Sequence, residues 1–211
     1  PDTRVMCSPS APAVVISTVL SQLALRGATQ VRGTVMMSAS SAGKAGAEEL
    51  SGQVVSLFNG KTPPRVVFPQ GLAFDLHSQM GEDVEGWTSV ERRIAVEVAD
   101  LLGWRPEQAL MSAVLAPMFA GVAANLTVDF DHGVDLAAVK ALLGETPGVR
   151  IGDPVPGPRR VAGDSAIYVG RIRLDSDNSR LHLWVTADNL RVGASANALA
   201  IATALWSEGY L

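Results

Sequence analysis

Tyr168-Val-Gly-Arg-Ile-Arg-Leu174 and, a few residues later, Leu181-His-Leu-Trp-Val-Thr-Ala-Asp-Asn-Leu-Arg-Val-Gly-Ala-Ser-Ala-Asn197 give the clearest indication of the architecture. Aliphatic and β-branched residues in both segments predict strands over about 167–174 and 181–186. The residues Asp175-Ser-Asp-Asn178 favour a turn, so the two strands are expected to be neighbours. An Ala-rich helix is predicted to follow from about Gly193.

The rest of the chain alternates helices with strands and contains no internal repeat. Thr88 and Glu91 have the spacing of a capping box, which predicts that a helix begins there. Asp135 is expected to cap a further helix. The other predicted elements are helices over 12–25 and 47–58, strands over 31–37, 110–119 and 126–130, and a long loop over 144–163. Neighbouring strands, with helices collected between others, predict an α+β fold.

Composition limits the classes of protein to which the chain can belong. At 211 residues with 47% hydrophobic content, the chain can form one sizeable core. Its net charge of -4 provides no basic surface for a nucleic acid. The apolar stretches 11–20 and 194–206 are shorter than the ~20 residues of a membrane span, so they predict buried helices and no membrane partner. The single cysteine, Cys7, and the lack of a basic and apolar leader favour the cytoplasm.

A dinucleotide-binding motif is not found. No Gly-x-Gly-x-x-Gly sequence follows a predicted strand, where its backbone would approach a pyrophosphate. The segment Ser41-Ala-Gly-Lys-Ala-Gly46 lacks the spacing of a phosphate loop and is interpreted as a small-residue turn. A dinucleotide-binding domain is therefore expected to be absent from these residues.

Several blocks of the sequence resemble the aspartate-semialdehyde dehydrogenase family. The most specific are Val169-Gly-Arg-Ile-Arg173 and Asp188-Asn-Leu-Arg-Val-Gly-Ala194, and further matches are Leu72-Ala-Phe-Asp75, Gly86-Trp-Thr-Ser-Val-Glu91 and the region 40–50. The resemblance implies the fold of the family's carboxy-terminal domain. That fold is a mixed β-sheet with helices packed mainly on one face, similar to the corresponding domain of glyceraldehyde-phosphate dehydrogenase.

The resemblance also implies how the chain is divided. Residues 1–188 correspond to the family's catalytic and dimerisation domain, so a homodimer is expected. Residues 189–211 correspond to a helix that returns to the NADP-binding domain, which these residues do not include. No cofactor is expected in this chain itself, whereas NADP is implied for a full-length form.

Family chemistry uses a thiolate that attacks the semialdehyde carbonyl, a histidine that transfers protons and an arginine that binds the substrate. By position, the nucleophile corresponds to Ala11, the histidine to Val122 and the arginine to Leu115. A family glutamine corresponds to Met37, whereas Glu97 retains a family glutamate that contacts the substrate. Because alanine, valine and leucine offer neither a nucleophile, a proton nor a cation, no catalytic residue is predicted.

Three residues of the tail match positions that border the nucleotide in the family. These vestigial cofactor contacts are Arg191, Gly193 and Asn197. The sequence therefore predicts a homodimerising domain that has lost catalysis and acts as a scaffold. Two alternatives stay open: an active NAD(P)-dependent oxidoreductase on a semialdehyde when joined to its nucleotide-binding domain, and a ligand-sensing module with a pocket around Glu97.

The strand over 181–186 predicts where two subunits meet. Large residues occupy both of its faces, so one face is expected to contact the core and the other a second subunit. The predicted interface, with Trp184 at or near its centre, consists of Leu181, Leu183, Trp184 and Val185. The tail helix has an apolar face whose cover in the family is the nucleotide-binding domain, so Trp206 is expected to be more exposed than Trp184.

The other reactive side chains are interpreted structurally. Cys7 precedes the nucleophile position by four residues and is expected to be a small buried residue, because unpaired cysteine is usually buried. The three histidines, His77, His132 and His182, are assigned to surface or interface positions. Four possible metal ligands lie close in sequence but follow no metal-loop pattern, so no metal site is predicted for Asp129, Asp131, His132 and Asp135.

Overall fold

The computed structural model describes residues 6–210. The helices in that range are α1 (Ala11–Ala24), α2 (Gly43–Phe58), α3 (Ser89–Leu102), α4 (Leu136–Glu145) and α5 (Ala194–Ser207). The strands are β1 (Ala28–Met37), β2 (Asp83–Val84), β3 (Trp87–Thr88), β4 (Ala109–Leu115), β5 (Val122–Phe130), β6 (Val149–Ile151), β7 (Ile167–Leu174) and β8 (Arg180–Ala187).

Six of the strands form one mixed sheet in the order β4-β1-β5-β8-β7-β6. Strand β1 pairs in parallel with β4 and antiparallel with β5. Strand β8 is antiparallel to both β5 and β7, and β6 is parallel to β7. The predicted neighbouring strands β7 and β8 are confirmed, and the mixed sheet confirms the α+β class.

Helices α1, α3 and α4 supply the apolar side chains that cover one face of the sheet. One residue from each helix illustrates this burial: Leu20, Ile94 and Leu143 are each 0% exposed and belong to the same core as the strands. The prediction of helices mainly on one face is therefore confirmed. Within residues 6–210, no helix is both long enough and apolar enough to cross a membrane.

Both predicted helix caps are present. The Thr88 hydroxyl accepts a hydrogen bond from the Glu91 backbone N–H at 3.2 Å, and the Glu91 carboxylate accepts one from the Thr88 N–H at 2.9 Å. The Asp135 carboxylate accepts a hydrogen bond from the Ala138 N–H at 2.8 Å at the start of α4. These contacts span only three residues, which is why sequence spacing identifies them.

The strand ends differ from the prediction. Strand β4 ends two residues before Pro117, rather than at residue 119, since proline has no N–H to donate to a ladder. Strand β5 begins at Val122, not 126, because its first residues pair with Met37 on β1 and Ala187 on β8. Strand β6 lies within the predicted loop over 144–163 and is fixed by pairing with β7.

A buried carboxylate holds the loop after α2 against that helix. Glu49 is 8% exposed, and its two oxygens accept hydrogen bonds from the backbone N–H groups of residues 66–68 at 2.7–2.8 Å. One turn later, the Gln53 side-chain oxygen accepts from the N–H groups of residues 72 and 73 at 2.7 and 2.9 Å. Two α2 side chains thus satisfy five backbone donors of an irregular segment.

The environment of Glu49 favours its ionised form. Burial acts to raise the pKa of Glu49, but the three backbone N–H groups and the Gln53 amide outweigh it and leave this pKa below its ordinary value. A carboxyl group with a lowered folded-state pKa stabilises the fold above its unfolded pKa, about 4.3 for glutamate. This stabilisation is lost as the pH falls through the folded-state pKa.

Replacing Glu49 with glutamine should lower the free energy of unfolding by about 2 kcal/mol at pH 7, because charge-assisted hydrogen bonds are replaced by neutral ones. The difference between Glu49→Gln and the parent should shrink as the pH falls below about 4. Urea unfolding followed by fluorescence measures both effects. Glu48→Gln, on the exposed side of the same helix, is the matched control, and an equal loss in both variants would contradict this account.

Candidate functional site

Three buried apolar residues lie side by side at one end of the sheet. Met37, the last residue of β1, pairs with Leu115 on β4 and with Val122 on β5. Their exposed fractions are 8%, 7% and 2%. The structure therefore brings together the positions that the resemblance assigns to the family's glutamine, arginine and histidine. We call Leu115, Met37 and Val122 the apolar row.

The position assigned to the nucleophile lies beside this row. Ala11 is the first residue of α1, and it lines a small cavity of about 240 Å³ together with Met37 and Val122. The cavity also contains polar groups that the sequence reasoning did not single out: Ser10, Arg93 and Asn189. Met37 and Val122 thus contribute apolar wall to a cavity that also has polar groups, whereas Leu115 lies outside its lining.

Glu97, which the resemblance assigns to a family glutamate, is hydrogen-bonded within the chain. Glu97 on α3 accepts hydrogen bonds from the Ser10 backbone N–H at 3.0 Å and from the Ser10 hydroxyl. Ser10 is the N-cap residue of α1, yet its side chain makes no capping bond within that helix. The Ser10–Glu97 pair therefore joins the start of α1 to α3, and one Glu97 oxygen is already occupied.

Asn189 connects three segments at the same end of the sheet. Its side-chain oxygen accepts a hydrogen bond from the Gly121 N–H at 2.6 Å, just before β5. Its amide nitrogen donates to the Ser40 hydroxyl at 3.0 Å, just after β1. Asn189 belongs to the Asp188-Asn-Leu-Arg-Val-Gly-Ala194 block that carries the resemblance, so that block was the available signal for it.

Two of the three predicted cofactor residues pack against the start of α1. A Cβ atom added to Gly193 would lie 2.5 Å from the Ala11 Cβ, so only glycine allows this approach. The Asn197 amide donates to the Ser8 hydroxyl at 3.0 Å. Arg191 is exposed, so of the three residues it is the one whose side chain faces solvent.

The interface prediction requires a correction. Leu181, Leu183 and Val185 are each 0% exposed within the single chain, because they point towards the helices. They are part of the core and cannot contact a second subunit. Trp184 lies on the opposite, uncovered face and is half-buried, with its indole N–H donating to the Thr186 hydroxyl at 3.0 Å.

A pair of arginines holds one carboxylate on the uncovered face. Asp129 on β5 bonds to Arg32 on β1 and, at 2.6 Å, to Arg180 on β8. Burial acts to raise the pKa of Asp129, but Arg180 and Arg32 outweigh it and leave this pKa below its ordinary value. The uncovered face therefore carries a paired group of charged side chains on the same strand as Trp184 and on β5 and β1.

The cysteine and the three histidines lie outside the lining of the Ala11 cavity. Cys7 is exposed in an irregular segment before α1, so the prediction of a buried residue is wrong. His132 contacts Asp131, and both are exposed. His182 hydrogen-bonds the Thr127 hydroxyl at 3.1 Å. His77 contacts the Gln70 side chain at 3.0 Å. Within residues 6–210, no group of three or more acidic, histidine or cysteine side chains is arranged to hold a metal ion.

Comparison with known proteins identifies the family. Residues 20–192 match the family model described as semialdehyde dehydrogenase, dimerisation domain. The chain is 36% identical over 200 residues to the USG-1 protein homolog of Pseudomonas aeruginosa, covering 92% of this chain and 60% of that protein. It is 36% identical over 177 residues to the aspartate-semialdehyde dehydrogenase of Rickettsia bellii, covering 80% and 52%.

A solved structure agrees with these relatives. The structure of a probable aspartate-semialdehyde dehydrogenase from Pseudomonas aeruginosa superposes with a TM-score of 0.91 at 34% identity, covering 98% of this chain and 64% of that one. The chain belongs to the semialdehyde dehydrogenase family, and its fold is that of the family's dimerisation domain. It spans between one half and two thirds of the length of these relatives.

Replacing Met37 in the apolar row with glutamine, the residue that the resemblance implies there, should destabilise this chain. Met37→Gln buries an amide between Leu115 and Val122, which offer no hydrogen-bond partner, so a loss of about 1–3 kcal/mol is expected. Met37→Leu keeps the site apolar and should cost less than about 1.5 kcal/mol. Denaturant unfolding compares the two, and equal stabilities would contradict the apolar character of the row.

Proposed function

We propose that this chain is the homodimerising domain of a semialdehyde dehydrogenase homologue that has lost its catalytic groups and acts as a non-catalytic scaffold. The observation that carries the proposal is the apolar row beside Ala11. In the family's chemistry these four positions would supply a thiol, a histidine, an arginine and a glutamine. Here the same end of the sheet offers methyl, isopropyl, isobutyl and thioether groups.

Chemical reasoning supports the loss of catalysis. Attack on a carbonyl requires a nucleophile with a base that activates it, and Ala11 and Val122 supply neither. Orientation of a carboxylate substrate requires a cation, which Leu115 does not supply. Exposed Cys7 lies outside the lining of the Ala11 cavity, and Val122 would leave it without a histidine partner.

A second candidate function is an active oxidoreductase in a longer protein. The relatives extend well beyond the matched region, and the Rickettsia bellii relative carries the name aspartate-semialdehyde dehydrogenase. In that proposal the additional domain would hold NADP, and exposed Arg191 would contact it. The Ser10, Glu97 and Arg93 side chains would then bind a substrate without a covalent thioester. A ligand-sensing module with a pocket around Glu97 is the third possibility.

The uncovered sheet face is the surface that we assign to homodimerisation. A sheet with one face under three helices needs a cover for its other face wherever large side chains are exposed there. Trp184 is a large, half-buried side chain on that face, and it lies on β8, one of the two central strands. A two-fold axis near Trp184 would place the same residue from both copies in contact.

The tail helix is the surface that we assign to the nucleotide-binding domain. The boundary that we propose between the dimerisation domain and this tail follows residue 188. Leu199 and Trp206 on α5 are 69% and 73% exposed. The expectation that Trp206 is more exposed than Trp184 is therefore confirmed. A domain that precedes these residues in a longer protein would cover that helix, as the resemblance implies. Cytoplasmic location belongs to the same proposal, because a single cysteine allows no internal disulfide.

The full-length protein should not reduce NADP above a heat-killed control when it is mixed with aspartate semialdehyde and phosphate. Absorbance of NADPH measures the rate. Ala11→Cys alone should not restore turnover, because Val122 and Leu115 remain apolar and residues of a catalytic unit fail together. Clear activity that disappears in Cys7→Ser would establish the oxidoreductase instead.

Light scattering at tens of micromolar, a concentration that reveals all but weak dimers, should give a dimer for the parent protein. Trp184→Glu should give a monomer, because it would bury two carboxylates near the two-fold axis. Trp206→Glu, on the exposed tail helix, is the matched control and should stay dimeric. A dimer that survives Trp184→Glu would remove the uncovered face from the interface.

A further inference from the structure

A second cavity lies next to the Ala11 site but shares no lining residue with it. Its volume is about 400 Å³, and its walls come from the segment between β4 and β5 and from the short turn at Pro158–Arg160. Met118, Phe119 and Pro158 are among the residues that line it, and its wall is largely carbon. Cavities of roughly 300–1,000 Å³ with apolar walls and a few polar groups are typical of small-molecule sites.

Two adjacent cations provide the polar groups. Arg159 and Arg160 both line the cavity, and both are exposed. Within residues 6–210, neither guanidinium has a carboxylate within ion-pair distance, unlike Arg32, Arg150 and Arg180. The chain as a whole carries a net charge of -4, whereas two unpaired arginines make the surface at this cavity locally positive.

The walls are held in place by backbone contacts. The carbonyl groups of Met118 and Phe119 accept hydrogen bonds from the N–H groups of residues 39 and 40 at 2.8 and 3.0 Å. On the other wall, Pro158 packs so closely on Gly121 that a Cβ atom at Gly121 would lie 2.6 Å from the proline Cβ. Gly121 is itself fixed by Asn189 at 2.6 Å. Because these walls are already fixed, little conformational entropy of the protein is lost when a ligand binds.

The geometry points to a binding site for a small organic anion, with an apolar body between Phe119 and Pro158 and a carboxylate or phosphate head on Arg159 and Arg160. Guanidinium groups bind both heads through paired, charge-assisted hydrogen bonds. The half-exposed Phe119 ring, at 53%, would lose its contact with water when the body enters. The site lies outside the apolar row, so its ligand is independent of the lost chemistry and would give the scaffold a small-molecule input.

Isothermal titration of the full-length protein tests this site with four probes. Phenylbutyrate carries both the body and a carboxylate, phenylbutyl phosphate carries the body and a phosphate, phenylbutanol lacks the charge, and acetate lacks the body. At least one of the two anionic aryl probes should bind ten times or more tighter than phenylbutanol and acetate. The tighter of the two identifies the head group.

Variants locate the binding. Arg159→Gln combined with Arg160→Gln should weaken the tighter aryl anion about tenfold or more, and Phe119→Ser should weaken it as well. Arg26→Gln with Lys61→Gln removes the same charge far from the cavity and should change the affinity less than about twofold. Binding that is unaffected by the Arg159 and Arg160 changes, or no binding of either aryl anion at millimolar concentration, would overturn the proposal.

Discussion

One-sided burial of the six-stranded sheet is the constraint on which the rest of the structure depends. Helices α1, α3 and α4 all pack on the same face, and buried side chains therefore alternate with more exposed ones along much of the central strands. On β8 this alternation separates Leu183, which is 0% exposed, from Trp184 beside it. A shift of one residue in register would exchange the two faces, so burial fixes the register throughout the sheet.

That register also determines what the end of the sheet contains. The pairing of β1 with β4 on one side and β5 on the other places Leu115, Met37 and Val122 in one line. These three residues lie up to 85 positions apart in the sequence, and strand pairing makes them neighbours. The packing of α1 then places Ala11 beside Met37 and Val122, and a hydrogen bond from Ser10 to Glu97 connects the start of α1 to α3.

Sequence reasoning succeeded where the deciding contacts are local. The Thr88 and Glu91 capping box and the Asp135 cap lie within three residues of their partners, and periodicity located the main helices. It failed where partners are distant: β6 forms because β7 lies beside it, and the first residues of β5 are strand only through β1 and β8. The prediction that Cys7 is buried was wrong, because it relied on the usual burial of unpaired cysteine and Cys7 lies in an exposed segment before α1.

The apolar character of the row suits its position at a buried end of the sheet. Polar side chains at this buried end would each need a hydrogen-bond partner, whereas carbon does not. Met37 and Val122 belong to the main core, while Leu115 packs with Leu50 and Leu72 in the smaller cluster under α2. The row therefore joins the two cores across one end of the sheet. In the proposed scaffold, the positions that the resemblance assigns to the family's substrate site contribute to the packing of both cores.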